Sequence, residues 1–264
     1  MKKNHVLLVL LVLATGLTDS ALAERWGRPG ADLDKCQWSL GIEYNYIEAE
    51  WDLRLPKGLV YSLGEQQVVL NQILVTVSHG FTDTVETYLK MGGTSTDLTD
   101  GFLTGSEKYR PSLAFNEDLK SNLEFTIVGG VAATLYEEGK VKVGTLAQLT
   151  YFTFDDTAEA WDFTQGMDAQ VLALEAALMA SYQMGKLTPY AGICMVIYDA
   201  DIRYRATDPF AVPIFVYDLD VEQEDWFGMI VGADYELMEN VFLSIEMTHV
   251  SEGVGLSTGV TCAF

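Results

Sequence analysis

The sequence predicts an all-β chain whose strands close into an antiparallel, up-and-down barrel that crosses a membrane. Three observations lead there. The 264 residues are 49% hydrophobic with a mean hydropathy of +0.13, yet beyond the first two dozen residues no stretch approaches the about 18 consecutive apolar residues of a spanning helix. Apolar residues recur instead with period two over short segments, which gives each strand one greasy face and one polar face. Tight turns and longer polar connections then alternate along the chain, as they do where strands run up and down through a bilayer.

Residues 1–23 stand apart from the fold. Lys2 and Lys3, the apolar run from Val6 to Ala14, and the small-x-small site Ala21-Leu22-Ala23 form the pattern of a cleaved export signal. The apolar run is too short to span a bilayer. Cleavage after Ala23 leaves 24–264, a length suited to one barrel domain. No cysteine closely follows the run, so no lipid-anchored N-terminus is expected. Losing Lys2, Lys3 and Asp19 moves the formal charge from −22 to −23. That sign argues against nucleic acid as a partner. It fits solvated acidic loops, which are also candidates for divalent cations; no other cofactor and no metal centre is expected.

The first strand is read over 37–50, with Trp38, Leu40, Ile42, Tyr44 and Tyr46 on one face and Glu43 and Asn45 on the other. A hairpin follows over roughly 68–92, turning at Gly80-Phe81-Thr82-Asp83, where Gly, Thr and Asp interrupt two alternating runs. Residues 93–120 read as a long polar loop. In 121–135 Leu123, Phe125, Ile127, Val131 and Leu135 share a face, and Glu137-Glu138-Gly139-Lys140 turns the chain into 141–154. A polar loop is expected over 155–167. The segment 168–183 is rich in Ala and Leu, so a helix competes there; the period of two in Leu172, Leu174, Leu178 and Tyr182 favours a strand. Gly185 to Pro189 turns into a strand over 189–204, and 205–223 reads as a loop with Pro209 and Pro213. Three strands close the chain: 225–237, 241–250 and 254–264. In the last, Val254, Leu256, Thr258, Val260, Cys262 and Phe264 share a face. The count is ten, an even number as closure with both termini on one side requires; eight is the alternative if 168–183 is helical or two weak strands merge.

These features resemble small bacterial outer-membrane β-barrel proteins of the OmpA-like or omptin-sized kind, over about 24–264. The resemblance rests on the export signal, the Gly80-Phe81-Thr82-Asp83 turn, the Tyr235-Glu236-Leu237-Met238-Glu239-Asn240 turn and the last strand ending in Phe264. It implies an integral outer-membrane protein with periplasmic termini, in contact with outer-membrane lipid and lipopolysaccharide. It also implies that the barrel-assembly machinery reads Leu256, Val260 and Phe264. Cys262 departs from the pattern, since a bulkier residue is more usual there. The resemblance leaves the oligomeric state open. Trp38, Tyr44, Tyr46, Trp51, Tyr151, Tyr190, Tyr204, Trp226 and Tyr235 fall toward strand ends, where interfacial girdles sit, although aromatics favour strands in general.

Several residues are candidates for chemistry. Glu43, Glu124, Lys142, Gln148, Asp234 and Glu246 fall on the polar faces, so they are expected to form a network that fills the lumen or an acidic lining that passes cations. Cys36 and Cys262 share parity with outward residues of the first and last strands, which are neighbours in a closed barrel, and are candidates for a disulfide across that seam. His79 abuts a turn and reads as structural. His249 and Ser251 are two apart on one strand face, so a hydroxyl would lie beside an imidazole base. That pair resembles the His-x-Ser of outer-membrane lipid A deacylases, but neither Glu252 nor Glu246 stands where an orienting carboxylate belongs. Omptin-like proteolysis needs paired acids with an Asp–His couple. The acid pairs Asp155-Asp156 and Asp199/Asp201 lack the histidine and read as solvated charge. The expected function is therefore non-enzymatic: structural, adhesive or weakly pore-forming, with acidic extracellular loops. A deacylase-like hydrolase and a small cation-selective channel are the alternatives.

Overall fold

A computed structural model describes residues 27, 29–54, 62–99, 119–160, 163–207, 213–222, 226–250 and 253–264. The described strands are β1 (Trp38–Arg54), β2 (Ser62–Thr82), β3 (Val85–Thr99), the two-residue β4 (Leu119–Lys120), β5 (Glu124–Glu138), β6 (Val141–Ala160), β7 (Phe163–Tyr182), β8 (Leu187–Thr207), β9 (Pro213–Glu222), β10 (Phe227–Met238), β11 (Val241–Val250) and β12 (Gly253–Ala263). All are antiparallel to their neighbours. β12 pairs with β1 from Ser39↔Ala263 to Ala49↔Gly253, so the sheet closes on itself. With β4 prolonging β5 and β9 prolonging β10, the wall has ten staves. The stretch 168–183 is strand as far as Tyr182, as its period of two requires.

The staves differ in length, and that shapes the two ends. β11 and β12 have 10 and 11 residues, about what one bilayer crossing takes. β6, β7 and β8 have 20, 20 and 21. Their surplus of roughly ten residues prolongs the barrel by about 30 Å of chain at the about 3.3 Å rise of a strand. Past the tip of the β11–β12 hairpin, β9 pairs directly with β1 at Asp52↔Glu222, Leu53↔Val221 and Arg54↔Asp220. The wall is thus ten staves wide near the termini and eight wide at the far end. We call these ends the terminal rim and the distal rim.

Three sequence expectations change here. The polar loop expected over 155–167 is a continued β6–β7 ladder, paired as far as Ala160↔Phe163. The expected loop over 205–223 contains β9, and β3 runs on to Thr99. At the far ends of β3, β6 and β7 the chain is largely polar on both faces, so alternation of hydrophobicity fades while the backbone ladder persists. β9 does alternate, with Tyr217, Leu219 and Val221 against Asp218, Asp220 and Glu222, and its loop reading rests on Pro209 and Pro213. The first turn also moves: Gly80 is within β2, and Asp83-Thr84 makes the bend after a register shift between Gly80 and Thr82.

Burial follows parity. Leu40, Ile42, Ile73, Leu149, Leu174, Ile193, Ile245 and Leu256 are exposed on the outer surface, whereas their strand neighbours face inward and are buried. An apolar outside around a buried, partly polar inside reverses a soluble core and suits a barrel in lipid. Trp38, Tyr44, Tyr182, Trp226 and Tyr235 lie exposed on that outer surface. Tyr190, read from sequence as a girdle residue, instead points into the lumen and is buried, because it shares parity with Cys194 and Val196.

Candidate functional site

Among the described residues, buried side chains occupy much of the lumen. An apolar cluster of Ala132, Leu146, Ala177, Met179, Cys194, Val196, Ile230 and Val250 packs with Tyr190 on one side. Beside it runs a polar network. The Tyr88 hydroxyl donates to Gln148 Oε1 at 2.8 Å, and Gln148 Nε2 donates to Glu175 Oε2 at 2.9 Å. Thr150 donates to the other Glu175 oxygen at 2.9 Å. Lys90 and Glu43 form an ion pair at 2.9 Å with both side chains about 95% buried. Tyr190 donates to Glu246 Oε2 at 2.8 Å. The tyrosine rings reach these partners because each lies against a glycine of the adjacent strand, Tyr88 on Gly130 and Tyr190 on Gly232, where any Cβ would strike the ring. A polar residue cut off from water loses its hydration, so each of these hydrogen bonds is required rather than incidental.

A second layer closes the terminal rim. Before β1 the chain runs inside the barrel as a strap. Gly27 N–H donates to Glu246 Oε2 at 3.0 Å. Ala31 exchanges hydrogen bonds with the Thr134 hydroxyl, its N–H donating at 3.1 Å. Asp32 N–H donates to Glu86 Oε2 at 3.0 Å. Lys142 Nζ donates to the Ala31 carbonyl at 2.9 Å and pairs with Asp32 at 3.2 Å. The strap leaves the lumen at Cys36, which has φ 67°, and Cys36 N–H donates to the Gly80 carbonyl at 2.8 Å. Two wall glycines make room for it. A Cβ on Gly80 would fall on the carbonyl of Asp34, and one on Gly144 would fall on the backbone of Gly30. Ala31 and Leu33 of the strap are buried.

Two hollows flank this filling. One of about 150 Å³ lies beside the strap and is lined by Glu43, Ser78, Glu86, Lys90 and Asp234 among others. The other, about 600 Å³, lies near the distal rim, with Glu124, Asp155, Asp168, Asp201, Arg203 and Asp218 around it. There Arg203 pairs with Asp218 at 3.0 Å, and Arg205 with Asp168 at 3.0 Å and Asp155 at 3.6 Å.

The chain matches no protein-family model and no curated protein. Among solved structures it is similar to the outer-membrane protease OmpT of Escherichia coli, with a TM-score of 0.55 at 11% identity, over 86% of this chain and 97% of that one. The fold is that of the bacterial outer-membrane β-barrels. The outer-membrane protein OprG of Pseudomonas aeruginosa is a more distant neighbour, with a TM-score of 0.47 at 11% identity, over 88% of this chain and 97% of that one. The barrel fold and the apolar outer surface together suit an integral membrane location.

Within this outer-membrane barrel, the six residues read as lumenal occupy three levels. Glu43, Gln148 and Glu246 are in the central network. Asp234 is buried beside the smaller hollow. Lys142 holds the strap at the terminal rim, and Glu124 stands near the distal hollow. Lys90 and Glu175 were missed, although parity pointed to both: Leu89 and Leu174 are lipid-facing, so the next residue in each strand turns inward.

The cysteine expectation is corrected. Cys36, Cys194 and Cys262 are free thiols. Cys262 pairs with Leu40, four residues past Cys36, a rise of about 13 Å in extended chain against the about 7 Å that a disulfide tolerates. Phe264, two residues beyond Cys262, lies opposite Trp38, still two residues short of Cys36. It exchanges backbone hydrogen bonds with Trp38 at 2.8 and 3.1 Å. Leu256, Val260 and Phe264 all face outward and are exposed.

His79 lies tilted against Trp38, with ring centroids 4.4 Å apart and the planes at 51°. His249 shares the outer face of β11 with Ile245, and its Nδ1 is buried without a hydrogen-bond partner. Glu246 faces the lumen, on the opposite side of the strand. Ser251 and Glu252 lie outside the described residues. Among the described residues no three His, Cys, Asp or Glu side chains cluster as a metal site would require.

Proposed function

We propose that this protein is a non-enzymatic outer-membrane barrel with a closed lumen, whose role is structural or adhesive and is carried by the part that stands beyond the bilayer. The observation that supports this best is the double closure: the hydrogen-bonded filling from Tyr88 to Glu246, and the strap beneath it. With the strap on the periplasmic side, the distal rim and its paired Arg and Asp side chains face the outside. Enzymatic readings have less support. The deacylase-like reading needs an acid to orient His249 through Nδ1; Glu246, on the same strand, points the other way, and Glu252 lies outside the described residues. The likeness to a protease is one of fold, and neither His79 nor His249 stands beside the distal acids Asp155, Asp168, Asp199 and Asp201.

The second reading, a weakly cation-selective pore, is favoured by one observation. The distal hollow carries five carboxylates against two arginines, Arg203 and Arg205, and an acidic ring draws cations. Swelling of vesicles loaded with a small sugar separates the two. A closed barrel leaves the swelling rate at that of empty vesicles. Swelling that rises with the amount of protein inserted supports the pore.

A further inference from the structure

The two closures of the lumen are built differently. The filling is dry. Lys90 and Glu43 pair with only 5% and 4% of their side chains exposed, and Tyr88, Gln148, Thr150 and Glu175 bond to one another, as do Tyr190 and Glu246. None of these bonds uses an atom of the strap. The strap is wet on one side. Asp32, Asp34 and Lys35 are exposed, and the ion pair between Lys142 and Asp32 keeps 22% and 30% of its side chains exposed. An ion pair open to water contributes little, whereas a dry one is costly to break from one side.

The strap also adds no strand to the wall. Around it β1, β2, β3, β5 and β6 keep both of their ladder neighbours. What grips the strap is a set of wall side chains on its main chain: Thr134 and Lys142 on Ala31, Glu86 on Asp32, and Glu246 on Gly27. Glu246 Oε2 keeps its bond from Tyr190 when the one from Gly27 is lost. The apolar side chains the strap buries are small in sum, Pro29, Ala31 and Leu33. Elements with few buried apolar contacts and with hydrogen bonds near water open at a lower free energy than the whole fold. Where the strap leaves the lumen it is fastened to β2: Cys36 N–H donates to the Gly80 carbonyl at 2.8 Å, and Gly80 N–H donates to the Gln37 carbonyl at 2.9 Å.

We propose that the strap is a latch that opens on its own: residues 29–34 lift out of the terminal rim, pivoting on the exit fastened at Cys36, while the wall and its filling stay folded. Glu86, Thr134 and Lys142 set how tightly the latch is held. Opening turns the hollow of about 150 Å³, lined by Ser39, Glu43, Ser78, Lys90 and Asp234 among others, into a vestibule that water and small solutes enter from that rim. The filling still blocks passage through the barrel. This inference rests on the closed-lumen reading and deepens it.

The test follows thiol reactivity in the whole protein folded in lipid nanodiscs, where both rims meet the reagent. Cys36→Ser and Cys262→Ser remove the exposed thiols and leave Cys194, buried in the lumen, as a gauge of unfolding. Ser39→Cys puts a second thiol in the hollow, at a position 4% exposed. The probe is a small charged methanethiosulfonate, and each rate is taken relative to that in urea-unfolded protein. The thiol at position 39 is expected to react at least tenfold faster than Cys194. Lys142→Met, Glu86→Gln and Thr134→Val are each expected to speed it at least threefold and to leave the Cys194 rate unchanged. Lys142→Met is expected to stay silent in planar bilayers. A position-39 rate equal to that of Cys194, or one that none of the three variants changes, would overturn the proposal. Steady channels from Lys142→Met alone would also overturn it, since the filling would then depend on the strap. Channels from the unaltered protein would instead overturn the closed-lumen reading on which it rests.

Discussion

Replacing Lys90 by methionine tests whether the lumenal network holds the barrel together. The side chain keeps its length and loses its charge. Glu43 is left 5% exposed without the ammonium that stood at 2.9 Å. Coulomb's law at an effective dielectric of about 20 gives about 6 kcal/mol for two unit charges at that distance, which sets a ceiling. Breaking a buried pair from one side costs about 3–5 kcal/mol, because the remaining charge is stranded. That corresponds to roughly a 150- to 5,000-fold fall in the folding equilibrium constant. Removing both charges, as Lys90→Met with Glu43→Leu, relieves the stranded carboxylate and recovers at least half of the loss. It does not recover all of it, since Glu175 also loses Lys90. Urea titration in lipid vesicles, followed by tryptophan fluorescence, measures both variants. A Lys90→Met protein within about 1 kcal/mol of the parent would refute the reasoning, and so would a double variant weaker than the single one.

Four further outcomes follow from the same geometry. Gly144→Val sets a side chain on the backbone of Gly30, so it should cost about 1–3 kcal/mol by overpacking and speed hydrogen exchange at the Ala31 and Asp32 amides; unchanged exchange would mean that the strap does not press on Gly144. Tyr190→Phe removes a hydrogen bond to a carboxylate and should cost about 1.5–3 kcal/mol, read as a lower urea midpoint. Deleting Phe264 removes the two backbone bonds to Trp38 at the seam and should cost about 1–3 kcal/mol at about 0.5–1.5 each, on top of any loss in assembly yield; a full urea midpoint would argue that the seam closes without it. Without any reductant, maleimide should label Cys36 and Cys262, whereas Cys194 should react only after unfolding, since it alone is buried. Failure of the first two to label until a reductant is added would restore the disulfide across the seam.

Much of the architecture was legible because a bilayer imposes alternation. Leu40 and Ile42 against Glu43 and Asn45 announce a strand and its two faces, and the same parity turns Gln148, Asp234 and Glu246 inward. Where lipid ends, so does the signal. Asp155, Asp156, Glu159 and Asp162 look like a loop because neither face of the chain is apolar there, although β6 and the start of β7 pair through that region. β9 was hidden differently: Tyr217, Leu219 and Val221 do alternate with Asp218, Asp220 and Glu222, but Pro209 and Pro213 read as loop signals. The strap had no periodicity to betray it. Its trace in the sequence is indirect: Gly80 and Gly144 are inward glycines where a strand would normally place a side chain. Gly80 was read as a turn residue because Thr82 and Asp83 follow it. Tyr190 was misread because a tyrosine near a strand end suits an interface equally well, and only the parity it shares with Cys194 and Val196 turns it inward. The seam cysteines were misjudged because parity fixes a face but not a height, and Cys36 lies four residues from the position opposite Cys262.

Planar-bilayer conductance of the unaltered protein, at about 100 mV in molar potassium chloride, tests the central claim most directly. A lumen filled from Tyr88 to Glu246 and closed below by the strap predicts bilayers as quiet as those without protein. Steady, cation-selective channels from the folded barrel would contradict it.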